Sequence, residues 1–189
     1  MKIAPIIALL FCLGAMPVRA EWIDLELPTG TKLKAAFEKP ELVGKAHAVI
    51  YLHSRMPRQA GYEAAADRGY DVAAFARAFA YAGFVAIAPV RRTPVGTENG
   101  DDAVNEGLAT ILAAIAYLHR SHDVMRVSVV GFGEGGLMAL WALSKMPDLT
   151  KGVVLSPSTM NSGTGRANTM TWMFSSKKVP RKQSGRRFC

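Results

Sequence analysis

The stretch Ser128–Leu143, SVVGFGEGGLMALWAL, limits the fold more than any other part of this 189-residue chain. A β-branched run meets four glycines within residues 131–136, and apolar residues then return at helical spacing. A strand must therefore turn sharply into a helix, with backbone passing close to backbone. Two kinds of site are built on such a turn. Gly131, Gly133 and Gly136 spell G-x-G-x-x-G, whose glycines let a pyrophosphate approach a helix N-terminus. With a nucleophile at position 133, the same letters would read G-x-S-x-G-G, the strand–turn–helix elbow that presents a catalytic serine.

The surrounding chain alternates strands with helices. Trp22–Leu27 and Thr31–Glu38 flank Pro28-Thr29-Gly30 and read as a hairpin. Ala46–His53, Phe84–Val90, Met125–Val130 and Gly152–Ser156 are apolar runs of the kind found in strands covered on both faces. Tyr70–Tyr81, Asp101–Arg120 and Gly135–Lys145 carry helical spacing, and Gly83 ends the first of them. Leu108, Ile111, Leu112, Ile115 and Leu118 fall on one face of the second helix. Ser54–Gly69 is polar and reads as a long loop. The alternation predicts an α/β fold with a mostly parallel sheet, opened by an antiparallel hairpin.

Residues 1–20 are set apart from the fold. Lys2, the apolar run Ile6–Leu13 and the ending Val18-Arg19-Ala20 match a cleavable export signal. Cleavage is expected after Ala20, giving a periplasmic or secreted chain. The apolar run falls short of the about 20 residues of a membrane span. Phe11, just before Cys12, is bulky where a lipoprotein signal takes a small residue. Beyond Ala20 only Cys189 remains, so no internal disulfide is expected.

The net charge of +8 is local. Glu21–Gly165 holds 14 Lys/Arg against 15 Asp/Glu, whereas Arg166–Cys189 holds seven bases and no acid. A nucleic-acid partner would rest on that ending alone and is not expected. Residues 21–158 form the expected domain. Residues 159–189 lack a sustained period and read as a basic, disordered tail, apart from a short stretch around Met170–Phe174.

Context separates the two readings of the turn. A dinucleotide fingerprint sits in the first βα turn of its domain, and here two buried strands and two helices come first. It also needs an acid about twenty residues on, at the end of the next strand. That strand ends at Leu155-Ser156 without a carboxylate, and Asp148 precedes it.

The chain instead resembles the α/β-hydrolase superfamily, and more narrowly dienelactone-hydrolase-like proteins. The matching residues are YLHSR (51–55), AYAGFVAIAPVRR (80–92), SVVGFGEGG (128–136) and GVVLSPS (152–158), so the resemblance covers about residues 44–158. It implies a three-layer α/β-hydrolase-like domain and hydrolysis of an ester or lactone through an acyl-enzyme, with nucleophile, acid and histidine in that chain order. Gly131 and Gly135 fill the small-residue positions that flank the nucleophile. The nucleophile position itself is Gly133, which has nothing to activate. Glycine also adopts freely a backbone geometry that costs other residues roughly 1–3 kcal/mol.

The remaining triad members are missing too. After Ser156 there is no Asp, Glu or His. His47, His119 and His122 belong to the amino end of the sheet. His53 alone stands at a strand carboxyl end, where ligands bind in such sheets. It is either a site residue or a loop-shaping histidine satisfied by backbone partners. By resemblance, Ser54 or Arg55 and Glu134 are the oxyanion-hole candidates through their backbone N–H groups, the Glu134 side chain being incidental. Arg55, Arg58, Arg91 and Arg92 emerge at the same ends, as anchors for a carboxylate or as solvated surface residues. Ser156 and Ser158 have no visible base. No His/Cys/Asp/Glu cluster has metal-ligand spacing, and no metal or other cofactor is expected.

The expectation is an exported α/β-hydrolase-like domain, truncated on its carboxyl side relative to the family and inactive as written. Three accounts stay open. One is a pseudoenzyme that binds a small ester, lactone or carboxylate, or a protein. Another is a fragment whose native ending was replaced by frameshift or truncation, and the last is a working enzyme with unusual residues. Loss of all three triad elements fits the first two best.

Overall fold

Pro28-Thr29-Gly30 turns the chain as its residues dictate. Gly30 takes φ 80, Gly30 N–H donates to Leu27 O at 2.8 Å, and Leu27 N–H donates to Thr31 O at 2.8 Å. The turn joins strands β1 (Glu21–Glu26) and β2 (Lys32–Glu38), paired antiparallel from Glu21↔Phe37 to Glu26↔Lys32. These observations come from a computed structural model of the protein, which describes residues 20–41, 44–92 and 100–155. The segment expected to be an export signal, up to Arg19, together with Ser156, Ser158 and the basic ending, lies outside the described residues.

After the hairpin come β3 (Ala46–Leu52), α1 (Arg55–Ala60), α2 (Tyr62–Ala66), α3 (Val72–Tyr81) and β4 (Val85–Pro89). The chain continues through α4 (Gly100–Ser121), β5 (Val124–Phe132), α5 (Glu134–Lys145) and β6 (Leu149–Leu155). The sheet order is β1-β2-β4-β3-β5-β6. β2 runs antiparallel to β4, while β3 is parallel to β4 and β5, and β5 to β6. The chain steps from β3 to β4 in one direction, then crosses back over β3 to reach β5. Strand order thus reverses between the carboxyl ends of β3 and β5, the place where open α/β sheets bind ligands.

Alternation along the strands sorts side chains into two cores. Ala48, Ile50, Leu52, Ile87, Val127 and Val129 pack with Ile111 and Leu118 of α4 and Met138 of α5. Tyr51, Ala86 and Ala88 face the other way, onto Val72, Ala73 and Ala76 of α3. Burying each larger aliphatic chain is worth about 1.5–3 kcal/mol. The result is the three-layer, mostly parallel architecture expected from the sequence.

Three local expectations are corrected. Ser54–Gly69 is not a loop, because Ser54 caps α1 by accepting from Met56 N–H at 3.4 Å, and Gly61 at φ 84 separates α1 from α2. Leu112 is exposed, whereas Ile111, Ile115 and Leu118 are buried, because Leu112 lies at the rim of the helical stripe. β5 and β6 are not covered on both faces. Val127, Val129 and Gly131 are buried, but Ser128, Val130 and Phe132 are half-buried, and Val153 and Leu155 of edge strand β6 are exposed. Continuous apolar runs do not distinguish one covered face from two.

Candidate functional site

Gly133 occupies the apex of the turn between β5 and α5, with φ 58 and ψ −119. An L side chain seldom adopts this backbone geometry, whereas glycine does so without strain. Gly133 N–H donates to Leu155 O and Gly136 N–H to Gly133 O, both at 3.0 Å. The neighbouring glycines have a different cause. A Cβ on Gly131 would be driven into the Gly135 carbonyl, and one on Gly135 into the Leu52 carbonyl. Gly136 is less tight, with a Cβ meeting Val154 Cγ1 at 3.0 Å. These glycines let β5, α5 and the end of β3 touch each other, so no ligand is needed to explain them.

His53 stands at the carboxyl end of β3 and is 1% exposed. Its Nε2 accepts the Arg91 backbone N–H at 3.0 Å, and its Nδ1 lies 2.6 Å from Ser54 O. Nδ1 therefore carries the proton and donates it to that carbonyl. Burial, with the positive charge of Arg91 and Arg58 acting in the same direction, pushes the imidazole down to about 3. Both ring nitrogens are engaged with backbone, which leaves neither available as a base.

The arginines divide. Arg91 is 2% exposed, and its Nη2 donates to His53 O at 2.6 Å while Nη1 contacts Met138 Sδ at 2.7 Å. Burial pulls its guanidinium down to about 10, against the support of Glu134. Arg58 of α1 is nearly buried and donates to Glu134 Oε1 at 2.9 Å. Glu134 Oε2 lies 3.9 Å from Arg91 Nη2 and has no hydrogen bond of its own. Arg91 and Arg58 are therefore not solvated surface residues. Arg55, the first residue of α1, is half-exposed, and Arg92 is exposed with its N–H donating to Glu106 Oε1 at 3.0 Å.

Among the sequence-derived candidates, the fold thus gathers His53, Ser54, Arg91, Gly133 and Glu134 at the carboxyl ends of β3, β4 and β5. Arg55 and Arg92 remain at the margin. The Glu134 side chain is not incidental, since it is the anion that faces both buried arginines. Its pairing with Arg58 was not legible, although a carboxylate within an apolar glycine turn was a signal that burial would require a cation. His47 lies exposed at the amino end of β3, and His122 stacks on Phe37 at 4.7 Å, both away from the turn. Among the described residues, no group of three or more His, Cys, Asp or Glu could hold a metal ion, and no helix is long and apolar enough to cross a membrane.

This order of strands, with a positive-φ glycine turn closing against the central strand, defines an α/β-hydrolase fold. Solved structures agree. An esterase from Pyrococcus furiosus, Pf2001, superposes with a TM-score of 0.53 at 20% identity, covering 73% of this chain and 51% of its own. A Klebsiella pneumoniae protein assigned as a dienelactone hydrolase gives 0.55 at 18% identity, covering 73% and 59%. The acylaminoacyl peptidase of Pyrococcus horikoshii gives 0.53 at 19%, covering 82% of this chain and 25% of its own. The chain spans about half the length of the esterase. No protein-family model and no curated protein sequence matches it.

Proposed function

We propose that this chain is an exported, non-catalytic member of the α/β-hydrolase group that descends from ester- or lactone-hydrolysing enzymes and binds a small carboxylate, ester or lactone without turning it over. The observation that carries this reading is Gly133 at φ 58 and ψ −119, the apex where a nucleophile would have to stand. Supporting it, His53 is locked neutral by two backbone partners and cannot activate a nucleophile or water. The likenesses to an esterase and a dienelactone hydrolase support this reading of the lineage. Backbone N–H groups of Ser54 or Arg55 and Glu134 would hold the ligand's carbonyl or carboxylate oxygen, with Arg55 and Arg92 at the margin.

Export and its cleavage after Ala20 belong to the same proposal. N-terminal sequencing of the chain from a periplasmic or culture fraction should begin at Glu21. For the site, p-nitrophenyl esters are incubated with the purified chain and with Gly133→Ser, and binding of short carboxylates is followed by calorimetry. Binding without ester turnover is expected, and turnover by the unaltered chain would sink the proposal.

A further inference from the structure

We infer that cleavage after Ala20 gives the fold an ion pair: the new α-ammonium of Glu21 becomes the partner of the Glu38 carboxylate at the amino end of the sheet. The cleavage is that of the proposed export, and the partner follows from the register of β1 and β2.

β1 begins at Glu21, which pairs with Phe37. Continued by one residue, this antiparallel register carries Ala20 to the position across from Glu38, the last residue of β2. Alternation turns Glu38 to the same face as Ala36, which packs with Ala20 and with Val72, Ala73 and Ala76 of α3. Glu38 is half-buried there, and its Oε2 is out of water with no hydrogen-bond partner among the described residues. Arg77 of α3 acts on it from a distance but lies 3.4 Å from Asp71 Oδ2. Burial pushes the Glu38 carboxyl above its usual range, against the Lys39 backbone N–H and Arg77. A buried carboxylate of this kind calls for a cation.

Hydrolysis of the Ala20–Glu21 amide by an export peptidase supplies one. It consumes one water and leaves a carboxylate on the departing Ala20 and an amine on Glu21, which takes up a proton. Ala20 is 4% exposed in the fold, so the bond is cut before β1 pairs with β2. A single N–H donor thereby becomes an ammonium with three, one position from Glu38 across the strand pair. The Glu21 side chain shares the opposite face with Phe37, where it acts on Tyr117 and His122. Glu38 is thus the carboxylate on the α3 side of the new terminus, with Arg77 and the exposed Lys39 as the neighbouring cations. Attraction between the two charges should raise the amine and lower the Glu38 carboxyl.

The test uses the chain beginning at Glu21, beside the same chain acetylated on that amine. Competitive acetylation across pH, read by mass spectrometry of the first peptide, should place the amine about one unit above its ordinary 7.7–8.0. Glu38→Gln should return it to that range, whereas Glu21→Gln should leave it raised. A raised amine stabilises the fold fully below its unfolded pKa, and that stability is lost as pH rises through the folded value. The urea midpoint at about pH 6 should therefore be lower for the acetylated chain, and the gap should close by about pH 10. An amine at its ordinary value, one still raised in Glu38→Gln, or equal urea midpoints would each overturn the pairing. The acetylated comparison needs no side-chain variant, so it decides even if Glu38→Gln does not fold. A chain never cut after Ala20 in the cell shows only in its N-terminal sequence, so the export reading and this pairing fail separately.

Discussion

Arg58 of α1 and Glu134 of α5, 76 residues apart in the chain, meet at 2.9 Å with both side chains almost wholly out of water. With Arg91 on the other side of the same carboxylate, 3.9 Å away, the pair ties α1 and the end of β4 to the β5–α5 turn. Removing one member of a buried pair is costly because the remaining charge stays desolvated. Glu134→Ala should therefore lose about 3–5 kcal/mol in urea unfolding. The double variant Glu134→Ala/Arg58→Met should lose less than the two single variants added together, because it also removes the guanidinium that needed the carboxylate. Additive losses would show that the ion pair contributes no coupling.

Gly133 and Gly135 should respond differently to a methyl group. Gly133→Ala places an L residue at φ 58 and should cost roughly 1–3 kcal/mol through backbone strain. Gly135→Ala forces Cβ into the Leu52 carbonyl, which is backbone and cannot swing aside. It should be the more damaging change and should prevent accumulation of folded protein. Thermal unfolding of both variants orders them, and equal losses would mean that α5 can withdraw from β3 without penalty.

His53 gives the fold a pH dependence. Its imidazole is held at about 3 when folded, against 6.5 when exposed. Below about 6.5 the unfolded chain therefore takes up a proton that the folded chain refuses. The stability His53 contributes is complete above that pH and is lost progressively as pH falls toward 3. Nitrogen NMR at pH 5 should show His53 neutral with the proton on Nδ1. The midpoint of urea unfolding should fall between pH 7 and pH 4 by more than it does in His53→Gln. A protonated ring at pH 5 would contradict this assignment.

Much of this arrangement was legible in the sequence, and for reasons that can be stated. The glycines at 131 and 135 announce a strand and a helix in backbone contact, and the alternation of apolar runs with helical spacing fixes the α/β class. Position 133 was readable as the apex of the strand–helix turn because its neighbours define the turn without it. Arg58, Glu134 and Arg91 were not readable as one cluster. They lie on three separate elements, and an arginine after a strand reads the same whether its guanidinium turns outward or, like that of Arg91, inward to Met138 and the His53 carbonyl. The half-covered state of β5 and β6 was equally hidden, since Val130 and Val129 are the same residue type on opposite faces.

The central claim, that the lineage's reaction has been lost at Gly133, is tested most directly by p-nitrophenyl ester hydrolysis with the purified chain beside Gly133→Ser. The expected result is release of p-nitrophenol at the buffer rate by both, since position 133 offers no nucleophile and His53 is not free to serve as a base for a serine placed there. Turnover by the unaltered chain above that rate would contradict the loss of function outright. Turnover gained only by Gly133→Ser would show that a working acid and base stand near the turn after all.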